Sequence, residues 1–528
     1  IDFIDAGRHR LGHDAIAEYA VRVRPHSTVW RNPSRRTTLK ALVLFASTLP
    51  TSALAALRAL LPAGKQQHDF ITHNPQPRAL ETSRDAFGQG PITAIAQFFV
   101  RNNLPMPESE IVADRDRWSI QVKGCETSGQ IALADLKTLE TTTVASVLQC
   151  SGNGRTFFNH NPAGSPWGVG AAGCALWTGV KVSEVLSHFA GAKPQARFLT
   201  ATGAESLPAG IDVASVGVER SVPLEKGVQD ALLVWEMNGE PLPLVHGGPV
   251  RLLVPGYFGV NNVKWVKTLA AAADESVHAI QQSGYRLRPV GQAGNASHPS
   301  MYRMPVKSWI NGPGGSGDRV HPGRQQVFGV AFSGERGVKH VDVSIDGGKR
   351  WQRAILYGPD LGPNAWRTFQ ISVDLTPGQY TFVSRATDTL GDTQPEHFSA
   401  NQRGYGHNGW RDHGLSVQIS TQPQAVESDR LEPSAPVTSQ TAATALSQKS
   451  PLGMRLFTRS TQPSCATCHT LEAADAQGVI GPNLDVLRPN AQRIRAALEQ
   501  GVGAMPSYAN HLSNTEINAL IGFITRTQ

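Results

Sequence analysis

Two short stretches of this chain carry the side chains best suited to redox chemistry. In the first, Leu148-Gln149-Cys150-Ser151-Gly152-Asn153-Gly154-Arg155, a hydrophobic run ends in one cysteine followed by two glycines and an arginine. A thiolate is a soft ligand for a transition metal. Glycine lets the backbone turn sharply and approach a bound group, and arginine offers a planar fork of donors to an oxyanion. A buried free cysteine ahead of a turn is the plain alternative, because unpaired cysteine commonly fills cores. The second stretch, Ser464-Cys465-Ala466-Thr467-Cys468-His469, sets two thiols three positions apart with a histidine directly behind them.

Cys-x-x-Cys-His is the signature of covalent haem attachment, with Cys465 and Cys468 supplying thioether bonds and His469 one axial ligand. A zinc or dithiol pair is the competing reading, but the chain has five cysteines in all and no second Cys-x-x-Cys. Residues 452–523 resemble a class I cytochrome c. An opening helix, a Gly481-Pro482-Asn483-Leu484 loop expected near the histidine, and a closing helix over 516–525 all fit. Met505, in the loop Ala504-Met505-Pro506, is the expected second axial ligand, whereas Met454 precedes the attachment motif within a helix.

The Cys150 stretch resembles the molybdenum-ligating segment of the sulfite oxidase family, Q-C-x-G-N-x-R, at every fixed position. The resemblance extends over roughly residues 91–417. Phe99-Val100-Arg101-Asn102-Asn103-Leu104-Pro105-Met106-Pro107 is similar to the family's F-x-R-N-H-x-P-x-P, with Asn103 in place of the histidine. An amide there donates and accepts hydrogen bonds but carries no charge. A W-x-x-G-A run begins at Trp167, and Glu236-Met237-Asn238-Gly239-Glu240-Pro241-Leu242-Pro243 precedes His246-Gly247-Gly248-Pro249-Val250-Arg251. Val263-Lys264-Trp265, Tyr285 and Asn401-Gln402-Arg403-Gly404 complete the matches.

This resemblance implies a molybdenum-molybdopterin cofactor ligated by Cys150 and lined by Asn102 and Asn103. His246 and Arg251 would hold the pterin and its phosphate, with Lys264 a further contact. It implies a substrate pocket walled by Trp167, with Arg101, Arg155 and Arg403 gathered around a small dianion. Tyr285 would position substrate, its pKa lowered by an adjacent arginine.

The elements that must position these groups are legible in outline. Trp118-Ser119-Ile120-Gln121-Val122 and the run up to Gln149 alternate as strands broken by Gly124 and Gly129, so that a strand delivers Cys150. Residues 304–419 read as all-β. Val341-Asp342-Val343-Ser344-Ile345 alternates, Asp346-Gly347-Gly348 is a hairpin-turn signal, and 379–386 alternates again, which together suggest an immunoglobulin-like sandwich. Residues 421–450, rich in Ser, Thr, Gln, Ala and Pro, lack the apolar side chains for a core and read as a flexible tether.

Five segments follow: a leader over 1–55, an α+β molybdopterin domain over 70–300, an all-β immunoglobulin-like dimerisation domain over 301–420, a linker over 421–450, and an all-α cytochrome c domain over 451–528. At 528 residues, with 40% hydrophobic and 17% charged side chains, the chain can build that many cores.

The net charge of +7 resembles a nucleic-acid footprint. However, residues 1–40 hold eight Arg and Lys against four Asp and Glu, so most of the excess lies in the leader. That leader contains Ser34-Arg35-Arg36-Thr37-Thr38-Leu39-Lys40 ahead of an uncharged stretch with an Ala53-Leu54-Ala55 site. It reads as a twin-arginine export signal, which predicts a periplasmic location, and its Ser, Thr and Pro content argues against a stable membrane span. Cys125 and Cys174 remain, as core thiols or a disulfide.

The functional expectation is oxidation of sulfite to sulfate at the molybdenum centre, with electrons leaving singly through the haem to an external cytochrome c or similar acceptor. The expected assembly is a homodimer. The alternatives are a related oxidoreductase acting on sulfane sulfur, nitrate or a sulfoxide, or a metal-free electron carrier or binding protein.

Overall fold

The computed structural model describes residues 61–526 apart from 208–210, 316, 318, 421–450, 462, 503 and 504. The twin-arginine leader and the tether therefore lie outside the described residues. Besides a three-stranded sheet of Phe70–Asn74, Ala79–Thr82 and Val100–Arg101, two larger sheets build the catalytic half. In one, Thr141–Gln149 pairs antiparallel with Ala172–Lys181, which pairs with Leu232–Met237. In the other, Gly129–Ala132, Ser119–Lys123, Thr268–Ala272, Phe198–Thr202 and Glu219–Pro223 lie in that order, with one parallel pairing between Ser119–Lys123 and Thr268–Ala272.

Thr141–Gln149 starts in a run of β-branched threonines at the surface and ends buried, its last four residues shielded on both faces. Each residue from Thr141 to Gln149 has a partner on Ala172–Lys181, ending with Gln149 opposite Ala172. That long register fixes the point at which the chain leaves the sheet. Cys150 is the next residue, its N–H still bonded to the Ala171 carbonyl at 2.9 Å. Trp167 and Trp177, both fully buried, pack in the same cluster as Cys150.

The following domain is a sandwich of two four-stranded antiparallel sheets. One runs Lys307–Gly312, Gly323–Phe332, Arg367–Leu375, Ile355–Tyr357, and the other Gln352–Arg353, Val338–Ser344, Gly378–Asp388, Leu415–Ile419. Leu415–Ile419 alternates strictly between buried and exposed, and the inward side chains, including Val327, Val341, Phe369 and Phe382, form the shared core. The turn signal at Asp346 gives a longer connection than a two-residue hairpin. Its carboxylate accepts bonds from Ser344 Oγ and from the Lys349 and Arg350 N–H groups, and this Asx-type loop is stable without a tight turn.

The C-terminal domain is helical around a core of its own, with Ile480 packed instead into the core of the catalytic half. Ala491–Gln500 is capped by Asn490 Oδ1, which accepts from the Arg493 N–H at 2.9 Å, and it buries Ile494 and Leu498 at i, i+4 spacing. Asn514–Arg526 buries Ile517, Leu520, Phe523 and Ile524 on one face. Among the described residues no helix is long and apolar enough to cross a membrane. All five cysteines are free, so Cys125 and Cys174 are buried thiols and not a disulfide.

Candidate redox centres

Beyond Cys150 the chain turns back on itself, and the two glycines of the motif have separate steric jobs. Gly154 has φ +96°, and a Cβ there would meet His407 Cβ at 2.8 Å, while a Cβ on Gly152 would meet the Arg155 guanidinium at 2.4 Å. Asn153 clips the turn, its Nδ2 donating to Gln149 Oε1 at 3.1 Å and its Oδ1 accepting from the Ala171 N–H at 3.1 Å. Cys150, 8% exposed, thus stands on the partition between two cavities that share Arg101, Asn102, Asn103, Cys150 and Tyr285 as lining.

The rear cavity gathers Lys264, His246, Arg251 and Ser151 from four separate elements. Lys264 Nζ donates to Asn102 Oδ1 at 2.6 Å and to the Val245 carbonyl at 2.7 Å. Arg251 spends two nitrogens internally, on the carbonyls of His246 at 2.7 Å and Asn262 at 2.9 Å. Burial holds Lys264 well below its ordinary value, with Arg251 and Arg101 adding repulsion. His246 is likewise held well down by burial and by Lys65, Lys264 and Arg251, and burial lowers Arg251 to about 9.

Asn102 Nδ2, Ser151 Oγ, His246 Nε2 and Arg251 Nε are all buried without a hydrogen-bond partner in the protein. Such orphaned groups are costly. A cavity lined by unpartnered polar groups and three crowded basic side chains fits a polyanion such as a pterin phosphate. The partition thiol is of the soft kind that a transition metal takes as ligand.

The front cavity is lined by Arg101, Asn103, Arg155, Trp167, Tyr285, Arg403 and Tyr405. Asn103 is its hinge, because Oδ1 accepts both from Arg101 Nη2 at 2.6 Å and from the Tyr285 hydroxyl at 3.1 Å. Arg155 is largely occupied within the fold: its Nε donates to the Arg403 carbonyl at 3.0 Å and Nη1 to the Ser165 carbonyl at 2.7 Å. Trp167 is fully buried, its ring edge-on to His73 at 4.9 Å and its Nε1 unpartnered.

The expectation that a neighbouring arginine lowers the Tyr285 pKa is corrected. Arg101 and Arg155 do pull it down, but burial outweighs them and Tyr405 adds to burial, so the phenol is pushed up to about 12. Tyr285 is therefore a neutral donor.

Several participants escaped the sequence reading. Tyr405 stacks on Tyr285 with ring centroids 5.1 Å apart and planes within 5°, and lies 5.4 Å from the Arg155 guanidinium. It follows directly on the Arg403-Gly404 segment, so adjacency was the available signal. Glu81 accepts from the N–H groups of Gly168 and Gly170 at 3.0 and 2.9 Å and so holds the Trp167 loop. Glu205 lines the rear cavity with its carboxyl pushed by burial up to about 8. Neither carboxylate sits in a recognisable motif.

In the helical domain, Cys465–Cys468 is one helical turn and His469 follows it. His469 Nδ1 donates to the Pro482 carbonyl at 2.8 Å, which leaves Nε2 as the ring's lone-pair nitrogen. Gly481 lies flat against the ring, since a Cβ there would fall 2.4 Å from Cε1. Met505 lines the same cavity as Cys465, Cys468 and His469. Two thiols, an oriented imidazole and a thioether around one apolar space fit a c-type haem with Met/His ligation.

Fold and sites together define a molybdopterin-binding oxidoreductase that carries its own haem c domain. Family models agree. The oxidoreductase molybdopterin binding domain matches residues 104–280, the Mo-co oxidoreductase dimerisation domain 298–419, and the cytochrome C oxidase, cbb3-type, subunit III 452–524. The chain belongs to the sulfite oxidase family. It is 32% identical over 376 residues to mitochondrial sulfite oxidase of Homo sapiens, covering 67% of each chain. It is 30% identical over 365 residues to sulfite oxidase of Arabidopsis thaliana, covering 63% of this chain and 91% of that one. The crystal structure of the sulfane dehydrogenase SoxCD from Paracoccus pantotrophus superposes with TM-score 0.56 at 26% identity, covering 76% of this chain and 98% of that chain.

Proposed function

We propose that the protein oxidises sulfite to sulfate in the front cavity and passes the two electrons, one at a time, through its haem to an external c-type cytochrome. The observation that carries this reading is the convergence of Arg101, Arg155, Arg403 and the Tyr285 hydroxyl on the cavity floored by Cys150. That set suits a small dianion. Cys150 would hold a molybdenum centre through its thiolate, and that centre would supply oxygen-atom transfer and two-electron chemistry.

The protein's own part is positional and electrostatic. Arg101, braced by Asn103, presents a fixed cation to the anion, and Arg155 adds charge without moving. Tyr285, protonated at working pH, donates to an oxygen of substrate or product, and Trp167 excludes water. Asn102, His246, Arg251 and Lys264 hold the pterin and its phosphate, and His469 and Met505 ligate the haem iron. Over the whole reaction one sulfite and one water would give one sulfate, two protons and the two electrons. The sandwich would mediate a homodimer, and export by the twin-arginine leader would place the enzyme in the periplasm.

A second reading, oxidation of sulfane sulfur, is favoured by the likeness to SoxCD. The deciding experiment uses metal-loaded enzyme under anaerobic conditions. Sulfite alone should bring up the reduced haem spectrum within one turnover, with thiosulfate and a persulfidated carrier protein inactive. Haem that stays oxidised in sulfite, in protein shown to contain molybdenum, refutes the sulfite reading. Reduction by the carrier alone selects the second.

A further inference from the structure

The front cavity does not end at the catalytic half. It runs without interruption to Cys465, His469 and Met505, so the haem pocket and the space above Cys150 form one cavity. Ile480 packs across the junction, and the polar group that joins the two halves there is Arg403. It is 4% exposed, and its Nη1 donates to the carbonyls of Gln500, at 3.1 Å, and of Gly501. These carbonyls end the ten-residue helix Ala491–Gln500, where unsatisfied carbonyls and the negative end of the helix dipole favour a cation. Gly501, with φ +68°, turns the chain away and leaves both carbonyls facing outward.

The rest of the Arg403 guanidinium is not spent. Its Nε is buried and has no partner in the protein. Arg101 and Arg155 differ in this respect, because their bonds are made within the catalytic half, to Asn102, Asn103, Ser165 and Arg403. Of the three arginines on the Cys150 side of the cavity, one is held by the haem domain.

We propose that Arg403 is a shared latch, bonding either to the carbonyls that end the haem-domain helix or to the oxyanion, so that anion binding and haem docking oppose each other. This rests on reading the front cavity as an oxyanion site. A dianion is a stronger acceptor for guanidinium than a neutral carbonyl, so an arriving anion draws Arg403 away and loosens the docked domain. Redocking reclaims the guanidinium and weakens the hold on product. Linkage makes the effect reciprocal: whatever factor docking takes from anion affinity, the anion takes from docking. One side chain thereby orders the cycle, with substrate entering while the haem domain is away and electrons leaving once it returns.

The test is small-angle scattering from full-length, oxidised, metal-loaded enzyme, titrated with sulfate against chloride at matched ionic strength. Sulfate should raise the radius of gyration saturably in the wild type and chloride should not. Arg403→Ala should be expanded from the start and indifferent to sulfate, with haem and molybdenum contents confirming that it is folded. Arg403→Lys, which keeps the charge but loses the fork, should respond with its midpoint shifted by about tenfold. A wild-type profile unmoved by sulfate overturns the latch, as does an Arg403→Ala profile that matches the compact wild type. Sulfite-driven haem reduction in the same wild-type sample separates the two ideas. Reduction without a sulfate response sinks the latch alone, and a sulfate response without reduction sinks the sulfite assignment and leaves the latch standing.

Discussion

The two redox sites are built in opposite ways. The haem pocket draws its chemically essential groups from one short segment, Cys465 to Met505, in a domain with its own core that meets the catalytic core only at Ile480 and Cys468 among the described residues. The molybdenum pocket draws on Arg101, Cys150, His246, Lys264, Tyr285 and Arg403, which reach it from two sheets, several loops and the far end of the sandwich. A local site can be carried by a small helical unit and attached to another enzyme. A distributed site exists only when the whole catalytic half has folded. The prediction is that damage at the haem stays local, whereas damage at the molybdenum site reads out in affinity, rate and pH behaviour together.

The largest expected effect separates the two sites outright. Cys150→Ser should abolish substrate turnover while the haem spectrum and covalent haem content stay at wild-type levels. His469→Ala should do the converse, sparing molybdenum content and removing normal haem. Any Cys150→Ser enzyme that still turns over substrate at the wild-type rate removes the thiol from its assigned place.

Next comes Tyr285→Phe. Its hydroxyl, neutral with its pKa pushed up to about 12, donates to Asn103 Oδ1 and lies on the shared lining of both cavities. Hydrogen bonds to charged groups are worth about 1.5–3 kcal/mol, so kcat/KM should fall by about 10- to 100-fold. The profile should show no loss arising from phenol ionisation below about pH 11, because the group that donates is protonated there. A wild-type activity that collapses near pH 8 with Tyr285 present and not in the variant would contradict the raised value.

Asn103→His is subtler. Wild-type Asn103 bears no titrating proton, and its Oδ1 braces Arg101. An imidazole beside that guanidinium should be neutral at pH 8 and cationic only as the pH falls, since the nearby cation lowers its pKa. Protonation adds one positive charge to the cavity, worth on the order of 1 kcal/mol at about 4 Å in a water-like dielectric. The variant's KM for the anion should therefore drop about fivefold between pH 8 and pH 5.5 relative to wild type. A KM ratio that is flat across that range shows that position 103 does not face the anion.

The same contrast explains what could be read in advance. Cys465, Cys468 and His469 follow from the Cys-x-x-Cys-His spacing and Met505 from the resemblance to a class I cytochrome c, and the closing helix follows from the spacing of Ile517, Leu520 and Ile524, whereas the helix Ala491–Gln500 was not read. The strand into Cys150 and the sandwich were legible as alternation. The hydrogen bonds that tie the distributed site together were not. Nothing local to Asn103 says that it braces Arg101 and Tyr285, and Glu81 and Glu205 belong to no pattern. The Tyr285 pKa went wrong because charge proximity is visible in sequence and burial is not. The longer loop at Asp346 has the same origin: Asp-Gly-Gly signals a turn, but the side-chain bonds of Asp346 set its length.

The smallest effect tests whether the haem domain is energetically its own unit. Ser513 Oγ accepts from the Glu516 N–H at 3.3 Å, and Glu516 Oε2 accepts from the Ser513 N–H at 2.8 Å, a reciprocal capping box at the start of Asn514–Arg526. Ser513→Ala breaks one half of it and leaves Glu516 without a hydroxyl to hold, which costs about 1 kcal/mol. All of that loss falls on the core built from Ile517, Leu520 and Phe523. In the full chain, denaturant unfolding followed at the haem Soret band should therefore shift to a lower midpoint, while the tryptophan signal, to which the haem domain contributes no side chain, should stay in place. The halves meet through the Arg403 bonds and the packing of Ile480 into the catalytic core, a contact small beside the haem domain's own core, so the two cores should unfold in separate transitions. If both signals move together, the cores are coupled more strongly than that contact allows, and the division into a local and a distributed site does not extend to folding.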